Sequence, residues 1–398
     1  MVARLITAIA LGEQRSSGFE PSQSACDSRI QAIDPAGYAK TRNHLDGRVT
    51  RMSPYLTHGF TNVPEVVQRV RSRHRLPLEH KLIYELAWRE YFQHLWSRLG
   101  DQIFEDLRPP PGREYRPLVP ADLRRAATGI PVIDLAVRCL YDTGYLHNHA
   151  RMWLASYAVH LRRVHWRAGA DWMYAHLLDG DLASNHLSWQ WVAGTLTGKP
   201  YLFDAANVAR FAPQWASPNS SIDRSYDELN HLANDCTDLG PDRDDAPGVT
   251  EPSLLPSPPN SQTSTQMRLP HGPLTLVHPW ALASSGPGCV GLISLDFHAR
   301  HPWSANRWRF VLDGLRESCE VILVGTSQEL SEALTGRILR AGATLNPGYR
   351  ELLSLTGAQV ACVPRLLENP PQPCSSFSKF WKRVGIGRPD DAAVSPLP

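Results

Sequence analysis

The sequence predicts an all-α domain followed by a small α/β domain, and three observations carry that prediction. Apolar residues recur at three- and four-residue spacing through HKLIYELAWREYFQHLWSRL (residues 80–99) and ARMWLASYAVHLRRVHW (residues 150–166), the period of helices with one face in a core. Short β-branched runs of buried-strand type, VGLISLDF (290–297) and EVILVGT (320–326), are confined to the last third of the chain and flank the helical stretch SANRWRFVLDGLRES. Between the two regimes, residues 214–271 are rich in Pro, Ser, Asp and Asn. At 398 residues the chain is long enough for more than one domain with its own core.

Residues 1–37 read as an N-terminal extension. The opening MVARLITAIALGEQ has one early Arg and a short apolar run but no small-residue cleavage site, so it is not a signal peptide. No run is long enough to cross a bilayer, which predicts no membrane association. Residues 38–213 form the all-α domain, punctuated by the turn signals PPPG (109–112), TGIP (128–131) and TG (143–144). Residues 214–271 bury too little apolar surface to offset their ordering entropy and are expected to be a largely disordered linker, with a short helix over 226–233. Residues 272–385 form the α/β domain, of Rossmann-like parallel type. Its expected order is strand 290–297, helix, strand 320–326, a second helix through SQELSEALTGRILRAG (327–342), and strand 358–364. Residues 386–398 are a tail.

Lys and Arg number 41 against 39 Asp and Glu, a net charge of +2, so any nucleic-acid binding needs a local basic face. The 7 cysteines include no CxxC pair, and an odd count fits a reduced, cytoplasmic setting without zinc or iron–sulfur spacing. Packing accounts for most of the 12 tryptophans.

Four blocks can carry chemistry. In YAKTRNHLDGRVTRMSPYLTHG (38–59), Thr50, Arg51 and Ser53 precede a helical run and can offer hydroxyls, backbone N–H groups and a cation to a phosphate; a plain helix cap is the simpler reading. In ELAWREYF (85–92), Glu85, Trp88 and Arg89 share one helical face, where a carboxylate and an indole can bond to and stack on a nucleobase. In HNHARM (147–152), His147 and His149 point to different sides of a helix, which argues against a metal site. In DGDLASNHLSWQW (179–191), a D-x-D pair could hold a divalent cation, although no companion cluster supports it.

Taken in order, these blocks resemble the flavin-binding domain of the DNA photolyase/cryptochrome family from Tyr38 to about Trp191. The resemblance implies a photolyase-type domain that binds FAD noncovalently. Tyr38, Thr50, Arg51, Met52 and Ser53 fall where the family cradles the pyrophosphate, with Val49 in the place of a usual Thr. Arg89 and Glu90 match the cofactor-side continuation. Arg151 pairs with Asp179 beside the isoalloxazine, Asp181 meets its polar edge, and Asn185 faces flavin N5. Glu85 and Trp88 match the residues that bond to and stack on a pyrimidine dimer. Trp191 forms the opposite wall, and Asn148 with Met152 marks the cyclobutane-dimer class. Trp189 and Trp166 match the first two members of an electron-transfer chain; no third member is evident. Arg42, Trp88, His149 and Trp191 are the implied DNA contacts, with His149 standing where Arg is usual; Arg162, Arg163 and Arg210 are further phosphate candidates.

After Trp191 the pattern departs from the family, and almost nothing precedes the flavin domain where an antenna-bearing α/β domain is usual. The C-terminal α/β segment is expected to be that antenna-type domain, rearranged, with a second chromophore left open. The resemblance therefore implies a monomeric, metal-free, carbon–carbon lyase that repairs cyclobutane pyrimidine dimers in DNA with light. A cryptochrome-type blue-light sensor that keeps FAD without repair is the alternative. A non-photochemical interaction protein on the same fold is the third reading.

Overall fold

The computed structural model describes residues 18–109, 114–234, 247–259 and 269–384. The regular elements among the described residues of 18–234 are all helices. Five of them frame a single cavity: α1 (Ser53–Thr57), α2 (Lys81–Leu99), α3 (Asn148–Ser156), α4 (Trp166–His176) and α5 (Leu182–Ala193). The starts of α2, α3 and α4 share one device. The ring nitrogens of His80, His147 and His165 accept the N–H two residues on, at 3.1, 3.1 and 3.2 Å, satisfying a donor that has no partner within the helix. In α5 the cap is Asp181, whose Oδ1 accepts the Ser184 N–H at 2.7 Å, and Gly194 at φ +87° closes the helix. A single π turn at Tyr157–Leu161 extends α3.

Five strands form one parallel sheet: β2 (Leu274–Val277), β3 (Cys289–Ser294), β5 (Val321–Gly325), β6 (Leu339–Gly342) and β7 (Gln359–Ala361), in the order β5-β3-β2-β6-β7. The inner strand β3 is buried throughout, whereas β7 at the edge is exposed. The order of winding reverses between β2 and β6, which run parallel, and such a switch point leaves a crevice at the carboxyl ends of the strands. Here protein side chains span it. His278, just past β2, bonds to the Gly342 carbonyl at 2.9 Å, and the Tyr349 hydroxyl accepts the Ser294 N–H at 3.0 Å. Trp280 packs edge-on to Tyr349 with centroids 5.0 Å apart.

The sheet and the helices share a core. One buried cluster runs from Ile30, Tyr55 and Tyr91 of the helical region to Val277, Ile293, Trp308 and Phe380. Helix α6 (Ala305–Ser318) lies at this junction, and α7 (Phe377–Val384) packs against α2.

Several boundaries need correction. Residues 18–37 are not an extension: they carry helices Gln23–Gln31 and Pro35–Thr41, and Cys26 and Ile30 are fully buried in the core. The expectation of a largely disordered linker fails where the segment is described. Besides the short helix expected over 226–233, which is present as Tyr226–Asn234 and buries Leu229 and Ala233, β1 (Leu254–Leu255) pairs antiparallel with β4 (Trp303–Ser304). Its few apolar residues suffice because each is placed against an existing core. The expected helix over 327–342 ends at Ala333, and its last quarter is strand β6. The strand expected over 290–297 stops at Ser294, where a helix begins. The expected tail and residues 1–17 lie outside the described residues.

Candidate active site

Between α1, α2, α3, α4 and α5 lies a cavity of about 500 Å³, within the range of small-molecule and cofactor sites. It collects Tyr38, Arg42, Thr50, Arg51, Met52, Ser53, Glu85, Trp88, Arg89, Asn148, His149, Arg151, Met152, Asp179, Asp181, Asn185, Trp189 and Trp191. Trp166, the second of the expected electron-transfer pair, does not line it. Trp166 is buried behind, with Nε1 donating to Asp106 Oδ1 at 2.6 Å. Trp189 packs on Gly169, one turn from Trp166: a Cβ at position 169 would come within 2.2 Å of the indole.

One end of the cavity is polar and fixed. Arg151 NH2 donates to both oxygens of Asp179, at 2.9 and 2.7 Å, and the Asp179 side chain is 1% exposed. Asp181 takes both its oxygens to Gln93 Nε2 at 3.0 and 2.8 Å, with Arg89 3.9 Å away. Asn185 spends one amide N–H on the Ala170 carbonyl at 2.8 Å. Nearby, Arg51 holds a left-handed backbone at φ +51°, an uncommon conformation for a non-glycine residue and one that turns the 50–53 loop toward the cavity.

The other end has aromatic walls. Trp88 stacks on Phe377 of α7, with centroids 4.1 Å apart and planes 8° from parallel. Trp191 leans on Tyr201 at 5.5 Å. Both indoles keep partly exposed surface at the cavity. Glu85 accepts from Arg42 Nε at 3.3 Å. Burial raises its carboxyl pKa, an effect that Arg42 partly offsets. Asn148 Nδ2 reaches Met152 Sδ at 3.3 Å, so these two act as one surface.

Other expected positions are not where the sequence put them. Glu90 faces away from the cavity. Its carboxylate accepts the backbone N–H groups of Leu366 and Leu367 at 2.7 and 2.8 Å. Arg162 is no phosphate contact, because it is 1% exposed and donates to Asp122 at 2.7 Å. Arg163 is also buried. His149 packs between Trp153 and Phe211, and burial followed by Arg42 lowers its pKa to about 4, so it is neutral at pH 7. Sequence reasoning missed Tyr145 and Met173, which line the cavity, and Gln93, which orients Asp181. Of these, Gln93 had a signal, since it stands one turn from Arg89 on the same helix.

Among the described residues, no group of three or more His, Cys, Asp or Glu could hold a metal ion, and no helix is long and apolar enough to cross a membrane.

An apolar middle, a carboxylate–guanidinium end and a hydroxyl-bearing loop suit an extended cofactor with a flat ring and a phosphate tail. The comparisons agree. Residues 82–247 match the family model for the FAD binding domain of DNA photolyase, and this segment is a photolyase-type FAD-binding domain. The deoxyribodipyrimidine photo-lyase of Streptomyces griseus is 38% identical over 41% of this chain and 36% of its own length. That of Synechococcus sp. is 30% identical over 58% of this chain and 51% of its own. The cryptochrome DASH of Ostreococcus tauri is 33% identical over 44% of this chain and 34% of its own. The chain thus spans about a third to a half of the length of these curated relatives. Tyr38 and residues 50–53 stand before the matched segment, and folding brings them to the same cavity.

Proposed function

We propose that the protein repairs cyclobutane pyrimidine dimers in DNA by FAD-dependent, light-driven electron transfer. The observation that carries this reading is one cavity with the flavin-type residues at one end and two partly exposed indoles, Trp88 and Trp191, at the other. Bound and reduced, FAD supplies the light-excited electron that opens the dimer.

The chain's own residues position and select. Thr50, Arg51 and Ser53 hold the phosphate tail, while Arg89, Arg151, Asp179, Asp181 and Asn185 fix the polar edge of the ring. Trp88 and Trp191 sandwich a dimer flipped out of the duplex, which costs less at a lesion because stacking and pairing are already weakened. Glu85, held by Arg42 beside Trp88, hydrogen-bonds the edge of the dimer. Asn148 and Met152 close the pocket beside it. Trp189 and Trp166 carry electrons inward when the flavin must first be reduced.

The deciding experiment is blue-light repair of a thymine-dimer oligonucleotide by purified, pre-reduced protein against a dark control. Light-dependent recovery of intact thymines supports the reading. No recovery by flavin-loaded protein overturns it in favour of a blue-light sensor. One observation favours that second reading: His149 is neutral and packed among rings where a permanent cation would hold phosphate.

A further inference from the structure

We propose that Arg307, a residue of the α/β domain, is the positioning residue that sets the Asp179-Gly180-Asp181 turn of the flavin site. The sheet domain is then a working part of the cofactor pocket rather than a separate module. The inference rests on FAD occupying the cavity and holds whether the flavin serves repair or sensing.

The turn between α4 and α5 has no regular structure, yet it carries two carboxylates that must face the cavity. Three successive backbone carbonyls hold it from behind. The ring of His58 bridges Leu178 O at 2.7 Å and Pro279 O, in the α/β domain, at 2.6 Å. Thr57 Oγ1 donates to Asp179 O at 3.3 Å. Arg307 NH2 donates to Gly180 O at 2.6 Å, and its NH1 donates to Tyr174 O at 3.0 Å, near the carboxyl end of α4. Two of the three clamps therefore run through residues of the sheet domain.

Arg307 is built for this place. It is fully buried in the first turn of α6, with its guanidinium 4.1 Å from the Trp303 ring centroid and 4.5 Å from that of Tyr174. Ring faces and carbonyls compensate a cation that would otherwise be costly to bury. The planar fork matches two carbonyls at a fixed separation, which a lysine ammonium cannot do as well. Gly180 is equally constrained, since a Cβ there would lie 2.4 Å from Arg307 NH1. Gly180 does not line the cavity, whereas Asp179 and Asp181 do. Arg307 thus grips the turn from the side opposite the cofactor and leaves both carboxylates pointing inward.

The test measures FAD affinity of the full chain, by quenching of FAD fluorescence on binding to apoprotein, together with the absorption fine structure of the bound flavin. Arg307→Met keeps the bulk and removes the donors. We expect at least a tenfold weaker FAD complex with a shifted flavin band, and partial recovery in Arg307→Lys. Arg307→Ala should regain affinity on addition of methylguanidinium, a rescue that loss of packing alone would not show. If Arg307→Met does not fold, Gly180→Ala decides, because its methyl displaces the guanidinium while all of the α/β domain remains. FAD affinity and spectrum unchanged in folded Arg307→Met, or in Gly180→Ala, would overturn the proposal.

Discussion

Trp88 and Phe377 lie far apart in the sequence, yet their rings stack nearly parallel with centroids 4.1 Å apart. Trp381 and Tyr84 extend this aromatic group, with Phe377 between Trp88 and Trp381. The indole proposed to stack on a lesion therefore has one face already supported by α7. A stacked pair of this kind contributes about 0.5–1.5 kcal/mol beyond its buried area. Phe377→Leu keeps an apolar side chain but removes the ring. It should weaken binding of a dimer oligonucleotide by roughly 2- to 10-fold at unchanged FAD content. Equal loss of both would mean that α7 supports the whole fold and not the wall.

Removing the wall itself gives a sharper separation. Trp88→Ala should abolish most lesion-specific binding, measured as the ratio of affinities for damaged and intact duplex, while the purified protein retains its flavin. If flavin falls in step with lesion binding, Trp88 belongs to the cofactor end of the cavity and the two-ended assignment fails.

Trp189 touches the cavity and Trp166 sits one helical turn beyond its contact at Gly169. Trp189→Phe should slow photoreduction of oxidised flavin several-fold while protein reduced beforehand repairs normally. An unchanged photoreduction rate would exclude this route.

The helical half was legible because its chemistry is local. The ELAWREYF, HNHARM and DGDLASN blocks each sit on one helix or cap, so spacing alone indicates which side chains share a face. What the sequence hid are long-range relations. Glu90 follows Arg89 in the chain, but the helical turn sends its carboxylate to the backbone of Leu366 and Leu367. Arg307 is one arginine among many until folding buries it against Gly180. Strand β6 was masked because LRAG is short and follows an apolar helical pattern; its partner β2, rather than its own residues, decides its state. The 214–271 segment looked unfoldable on composition, yet Leu254 and Leu255 find a partner strand at Trp303–Ser304.

The buried Asp179–Arg151 pair should matter to both stability and cofactor. Asp179→Ala leaves the guanidinium without its carboxylate in a site where Arg151 keeps about a quarter of its side-chain surface. We expect a loss of about 2–3 kcal/mol, below the fully buried case, read from the urea midpoint of the apoprotein. Loss of bound flavin should accompany it. A stable apoprotein that still binds FAD with native affinity would show that the pair only closes the turn.

Acid should destabilise the fold before carboxylate titration dominates. Burial holds His147 near a pKa of about 3, and His149, His278 and His301 near about 4, against 6.5 for the free side chain. The unfolded chain therefore binds protons that the native state refuses between pH 6.5 and about 4. Stability is present in full above 6.5 and falls as pH drops through that window. Glu85 and Glu90, whose pKa values burial raises, act in the opposite sense, since the native state takes up their protons first. His58, held near about 4 by burial, and His298, also pushed down by burial, add to the four rings, so the histidines outnumber the two carboxyls and set the sign. Thermal midpoints measured in one buffer series from pH 7.5 to 5 should decline steadily, and His278→Gln should flatten part of the slope. Midpoints that stay level or rise toward pH 5 would show that at least some of these rings are already protonated in the native state.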